Sequence, residues 1–282
     1  MCPPATAAEP VRVGAKVPGV SVVIPTFRRE ALLVEAIASA LAQGEVDLEV
    51  VVVDDSPEGS ARSAVERVGD PRLRYFHRGQ SSGGRPALVR NDGVARSAGR
   101  NVLFLDDDDV LTVGALGALS RALDGSRVGV AFGAIEPVGA CPEEVERERA
   151  YFRRAAAAAR SARGRLGMVR RLLFEPALLV CSACMVRRAC LEPLGGFDPT
   201  LEVCEDTEFF TRAIRAFGCV FLPQTVIHYR VGGAKLSTAQ ASDGRFERAY
   251  RIFHGKYRER QGALEFYALK LGALVARSWA RH

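Results

Sequence analysis

The chain has 282 residues, 48% of them hydrophobic and 26% charged, and a formal net charge of +6. This composition excludes a disordered or fibrous chain and suffices for one large globular domain or two small ones. The positive excess is local, concentrated in two arginine-rich tracts at 147–171 and 245–260.

Residues 1–18 show no apolar core of the kind a secretory leader carries, and no segment reaches the ~18 uninterrupted apolar residues of a membrane span. The expectation is a flexible N-terminal tail over 1–18 on a cytoplasmic protein, with peripheral contact at the inner face of the membrane left open. Seven cysteines, an odd number, do not form a disulfide framework. Cys181 and Cys184 have the spacing of half a zinc knuckle. No second such pair follows, however, and they sit in an apolar run where cysteine serves as a small hydrophobe.

In chain order, "VSVVIPTF" (20–27) reads as a buried parallel strand. Leu32, Leu33, Ala36, Ile37, Ala40 and Leu41 then recur at helical spacing up to Gly44. "DLEVVVVDD" is a second buried strand, ending in Asp54 and Asp55. "SARSAVERVG" predicts a helix, "RLRYFHR" a short strand, "SSGG" (81–84) a flexible loop and "PALVRNDGVARSAG" a helix. "NVLFL" is a further strand and delivers four consecutive carboxylates, Asp106 to Asp109. Like charges so close repel by between ~1 and ~4 kcal/mol per pair, so a metal ion, a helix N-terminus or solvent must offset them.

Beyond Asp109, "VLTVGALGALSRAL" reads as a helix with Asp109 as its N-cap. "VGVAFGAIEPVG" is strand-like, 143–173 is helical by propensity, and "PALLVCSACMVRR" is another strand. In "CEDTEFFTRAIRAFG", Phe209, Phe210, Ala213, Ile214 and Phe217 form one apolar stripe, with Glu205 and Asp206 at the helix start. "CVFLPQTVIHYR" adds a last strand, and 243–282 read as one or two amphipathic helices. Strands alternating with helices predict a doubly wound, mainly parallel α/β sheet with a C-terminal helical extension. In such sheets ligands bind outside the carboxyl ends of the strands, where both acidic clusters lie.

Together "VSVVIPTFRR", "VVVDDS", "LVRNDGVARSAGRNVLFLDDDD", "GGFDPTL", the "ED" of "CEDTEFFTRA" and "HYR" resemble glycosyltransferase family 2, from about residue 20 to residue 240. The resemblance implies a GT-A catalytic domain over 19–242, with a nucleotide-binding half (19–110) and an acceptor half (111–242), followed by a helical segment over 243–282. It also implies a nucleotide-diphosphate sugar donor, Mg²⁺ or Mn²⁺, and transfer with inversion to an acceptor hydroxyl. A divalent cation offsets the diphosphate charge and makes it a better leaving group.

By this resemblance Asp106 and Asp108 form the D-x-D pair, with Asp108 as metal ligand and Asp106 in the ribose or metal shell. Asp107 stands where the family often has a small residue and is a less secure nucleotide-sugar contact. Pro25 and Phe27 match the base cradle, and Asp55 the acid that meets the base N3 position, which favours UDP or dTDP; Asp54 serves the turn. Arg90 and Asn91 match the Arg-Asn pair on the helix before the D-x-D strand. Asp206 matches the catalytic base, with Glu205 supporting it. The segment "HYRVGGAKLS" departs from the family pattern. His228, Arg230 and Lys235 therefore stand as alternatives for diphosphate contact, His228 also for metal and Arg230 for the nucleotide sugar.

Two other functions compete. A sugar-nucleotide nucleotidyltransferase requires a glycine-rich loop after the first strand, which "PTFRREALL" lacks. A nucleic-acid or membrane-surface binding module rests on the arginine tracts alone, and no nucleic-acid partner is expected. The acceptor, whether lipid-linked, glycan or small molecule, has no readable signature. The arginine-rich tracts are expected to present a basic face, including Arg153, Arg154, Arg170 and Arg171.

Overall fold

The computed structural model describes residues 17–175, 179–232 and 244–279. Lys235 and residues 1–16 of the N-terminal tail lie outside the described residues. The first half builds β1 (Val20–Thr26), α1 (Glu30–Leu41), β2 (Leu48–Asp54), α2 (Arg62–Glu66), β3 (Leu73–His77), α3 (Pro86–Ala95) and β4 (Asn101–Phe104). Then come β5 (Val110–Leu111), α4 (Ala115–Asp124), β6 (Val130–Val138), α5 (Pro142–Ser161) and α6 (Gly164–Phe174). The rest is β7 (Cys184–Arg187), α7 (Arg188–Leu194), α8 (Glu205–Phe217), β8 (Cys219–Arg230), α9 (Arg245–Gln261) and α10 (Ala263–Trp279).

The eight strands form one sheet in the order β3-β2-β1-β4-β7-β6-β8-β5. The pairs β3–β2, β2–β1, β1–β4 and β6–β8 are parallel, whereas β4–β7, β7–β6 and β8–β5 are antiparallel. The valine-rich runs of β1 and β2 are central because both of their faces are covered, as β-branched residues in a parallel sheet require. Their shared direction brings the carboxyl ends of β1, β2 and β4 to one edge of the sheet. The C-terminal helices pack onto the same core: Phe253, Tyr257 and Phe266 join the apolar cluster of Phe104, Phe132, Phe209 and Phe210.

Three local expectations are corrected. Val110 and Leu111 do not begin a helix; they pair with His228 and Ile227 of β8, and the helix starts only at Ala115, after Gly114 in the left-handed region. Asp109 is therefore no N-cap. It is buried, and its carboxylate accepts the Arg230 backbone N–H at 3.2 Å. The 143–173 tract is two helices rather than one, broken at Ala162 and Arg163 where the backbone turns extended. Of the strand predicted across "PALLVCSACMVRR", the described residues from Leu179 on are strand only in β7, preceded by a 3₁₀ turn at Cys181–Ala183.

Gly93 fixes how closely α3 approaches the sheet. A Cβ there would stand 2.2 Å from a Val23 methyl carbon, so only a residue without a side chain fits. Gly93→Ala is expected to lower stability by about 1–3 kcal/mol through overpacking, read as a lowered urea midpoint at unchanged m-value.

Candidate active site

A cavity of about 640 Å³ opens at the carboxyl ends of β1, β2 and β4. Pro25, Phe27 and Asp55 line one side, Asp106, Asp107 and Asp108 the floor, and Glu205 and Asp206 the opposite wall. Each side chain is placed by its element. The first group follows β1 and β2, the three aspartates follow β4, and the two catalytic candidates open α8. Phe27 is half-exposed, offering a flat face to the cavity, with the Arg28 guanidinium 5.3 Å from its ring centre.

The acidic run has internal cations. Asp106 accepts from Arg90 at 2.7 Å, and the same guanidinium donates to Glu205 at 2.6 Å. Arg90 is 5% exposed, so a single buried charge joins the β4 end to the start of α8. Arg29 donates to both Asp107 (3.2 Å) and Asp108 (3.1 Å), and Thr26 Oγ1 donates to Asp107 at 2.8 Å. Burial, reinforced by the flanking aspartates, still pushes Asp107 up to about 6. Its carboxylate thus ties the β1 end to the aspartate run.

The two carboxylates of α8 differ in partners. Burial raises both: Glu205 up to about 7 in spite of Arg90, and Asp206 above its ordinary range. Asp206 accepts the Thr207 N–H at 2.6 Å within the first turn, where helix N–H groups point outward. Asp106 adds like-charge repulsion to the burial that raises it.

Other predicted residues lie elsewhere or hold structure. Asp54 accepts from the Ser56 and Ala61 N–H groups and from the Tyr75 hydroxyl, so it does serve the turn. Asp55 accepts from the Ser82 N–H (2.7 Å) and the Ser82 hydroxyl (2.5 Å), which pins the 81–84 loop over the cavity. Asn91 does not line the cavity; its amide exchanges hydrogen bonds with the Phe197 backbone at 2.8 and 2.9 Å, fastening the "GGFDP" turn. Arg230 is likewise outside the lining, donating to the Asp108 carbonyl and to Glu35. His228 sits on β8 opposite Val110 and Glu136 and does not line the cavity, and its Nδ1 is buried without a hydrogen-bond partner among the described residues.

The aspartate pair suits a hard divalent cation. Asp106 and Asp108 supply carboxylate oxygens facing the cavity, and the Asp106 side chain is 35% exposed. Among the described residues no group of three or more His, Cys, Asp or Glu forms a ready-made cage. That donor set fits Mg²⁺ or Mn²⁺, which take much of their shell from phosphate and water. Cys181 and Cys184 are buried thiols whose pKa values burial raises, in keeping with packing rather than zinc.

Sequence reasoning missed Arg29, which showed only as one arginine of "TFRR". It also missed Tyr229, which lines the cavity together with Phe246 and Tyr250 of α9. The basic face is corrected in part: Arg170 and Arg171 pair with Glu175 at 3.0 and 2.7 Å and are largely buried, while Arg153 stays exposed.

Residues 21–195, more than half of the chain, match the domain described as Glycosyl transferase family 2. The chain belongs to this family. A GalNAc(5)-diNAcBac-PP-undecaprenol beta-1,3-glucosyltransferase of Campylobacter jejuni is 40% identical over 106 residues, 37% of this chain and 34% of that protein. A putative colanic acid biosynthesis glycosyl transferase of Escherichia coli K12 is 33% identical over 97 residues, 34% of this chain and 34% of that protein. The chain thus matches these family 2 relatives over about a third of their length.

Two solved structures are similar throughout. S. aureus TarS 1-349 in complex with UDP-GlcNAc has a TM-score of 0.66 at 20% identity, covering 87% of this chain and 69% of that one. The mannosyltransferase PcManGT from Pyrobaculum calidifontis, in complex with GDP-Man and Mn²⁺, has a TM-score of 0.61 at 20% identity, covering 93% and 76%. At such identity the likeness establishes the GT-A fold. Among the described residues no helix is long and apolar enough to cross a membrane.

Arg90→Met keeps volume but leaves Asp106 and Glu205 as uncompensated carboxylates. A loss of about 3–5 kcal/mol in unfolding free energy is expected, with a smaller loss for Arg90→Lys, which keeps the charge and loses the fork. Urea titration of the two variants measures it.

Proposed function

We propose that this family 2 glycosyltransferase moves a sugar from a nucleotide-diphosphate donor, of the UDP or dTDP type, to an acceptor hydroxyl with inversion at the anomeric carbon. The observation that carries the reading is the convergence of Asp106, Asp108 and Asp206 on one cavity around the buried Arg90. In this reading the base stacks on Phe27 beside Pro25, with Asp55 at its N3 edge. Asp55 exchanges its Ser82 contacts for the base, and the 81–84 loop then lies against the nucleotide.

Asp106 and Asp108 would hold Mg²⁺ or Mn²⁺. Such an ion supplies Lewis acidity that neutralises the departing diphosphate. Asp206 accepts the proton of the acceptor hydroxyl as its oxygen bonds to the anomeric carbon and the bond to the donor phosphate breaks, releasing the nucleoside diphosphate. Arg90 holds Glu205 by a hydrogen bond and opposes the rise that burial causes there, whereas Asp206 has no such bond to Arg90, so the two adjacent carboxylates divide their work. Tyr229, Phe246 and Tyr250 form the acceptor side. The undecaprenol-linked substrate in the name of the Campylobacter relative favours a lipid-linked glycan among acceptor classes.

A donor screen tests the reading as a whole: purified protein with Mn²⁺ and a panel of sugar nucleotides, scored by thermal shift and slow donor hydrolysis. Stabilisation by UDP- or dTDP-sugars is expected, and stabilisation by none of the panel overturns it. Asp108→Asn is expected to weaken Mn²⁺-dependent nucleotide binding by calorimetry while the fold is retained. Full activity in chelator would remove the metal from the scheme.

Asp206→Asn should leave donor affinity nearly intact and lower turnover by about two to four orders of magnitude. Because burial raises Asp206, its basic form is lost on acidification at a pH above the ordinary carboxylate range. The acidic limb of kcat/KM is therefore expected to fall about tenfold per pH unit there, and the residual activity of Asp206→Asn to lack that limb.

A further inference from the structure

Helix α10 packs one face on the core through Phe266, Leu269 and Ala273. Its outer face leaves a run of large apolar side chains in solvent: Leu264 (87% exposed), Tyr267 (53%), Leu271 (62%), Leu274 (54%) and Val275 (50%). Steps of three, four, three and one place all five on one stripe of about a third of the helix circumference. Scattered exposed leucines need no explanation, but a continuous stripe does. Glutamate 265 is the only acid of this helix, and it is turned inward, accepting from Arg215 at 2.9 and 2.7 Å and from the Tyr257 hydroxyl at 2.6 Å.

Cations border the stripe. Lys270 is exposed at its midpoint, and Arg258 of α9 lies over the Phe266 ring and reaches the Tyr267 hydroxyl at 3.5 Å. We infer that the outer face of α10 docks on an anionic lipid surface, with Leu264, Leu271, Leu274 and Val275 entering the acyl boundary and Tyr267, Lys270 and Arg258 at the headgroup level. An apolar stripe bordered by an aromatic and by cations, with no carboxylate of its own helix on that face, is the pattern of a helix lying in the membrane interface. A second copy is the poorer occupant. A symmetric mate would bring its own Lys270 and Arg258 against the first, and the stripe offers no carboxylate to meet them. The inference assumes no particular acceptor or donor.

Flotation of the full chain with vesicles of phosphatidylglycerol and phosphatidylethanolamine, without nucleotide or acceptor, tests it. Binding that weakens as salt is raised is expected, weaker by more than tenfold in Leu271→Ser/Leu274→Ser and by about fivefold in Lys270→Gln. Both variants should keep the melting temperature and donor hydrolysis of the parent, since none of these residues lines the cavity. Failure of the parent to float, or equal flotation of parent and double variant, overturns the inference. So does a dimer in light scattering that the double variant dissolves without any vesicle binding, which would assign the stripe to a second copy. None of these outcomes bears on glycosyl transfer, which the donor screen reads separately.

Discussion

The bridge that Arg90 makes between Asp106 and Glu205 is the constraint on which the site depends. An isolated guanidinium at 5% exposure would carry a desolvation penalty of several kcal/mol, and the buried Glu205 carboxylate alone would do the same. Held together at 2.7 and 2.6 Å, the three groups are stable only as a set. The set joins parts of the chain far apart in sequence: α3, the end of β4 and the first residue of α8. Gly93 lets α3 lie against Val23, the Asn91 amide fastens the turn at Phe197, and the Arg90 guanidinium stacks over the Phe197 ring at 5.6 Å. Adjacent residues of one helix thus place both the cation and the loop that leads to α8.

The four aspartates that stand out in the sequence receive four different environments. Asp106 is answered by Arg90 and Asp109 by the backbone at Arg230, while Asp107 and Asp108 share Arg29. No single compensating agent serves the run. The cations come from α3 and from the loop after β1, so the acidic floor is assembled only once those parts have packed.

The half of the chain that builds β1 to β4 was legible because local signals and tertiary demands agree there. Valine-rich runs bounded by turns are buried parallel strands, and carboxylates at their ends have one common edge to occupy. Legibility fails where pairing across the sheet overrides local preference. Val110 and Leu111 stand directly before the helix formers that begin at Ala115, yet β8 captures them as an edge strand and deprives Asp109 of a helix to cap. The break at Ala162 and Arg163 lies between an alanine- and arginine-rich stretch and an arginine- and leucine-rich one, with no proline to announce it. Asn91 was placed beside the nucleotide by resemblance, whereas its neighbour Arg90 points inward and Asn91, about 100° further round α3, faces the turn. Arg29 was invisible because a lone arginine in a loop carries no sign of which carboxylates it will meet.

The cavity has two walls of different origin. The match to the family ends at residue 195, whereas Glu205, Asp206, Phe246 and Tyr250 all lie beyond it. The family match therefore weighs the wall built from β1, β2 and β4, while the wall built from α8 and α9 lies beyond it. A change of side chain at Phe246 or Tyr250 thus reshapes the cavity without altering the strand ends that form its other side.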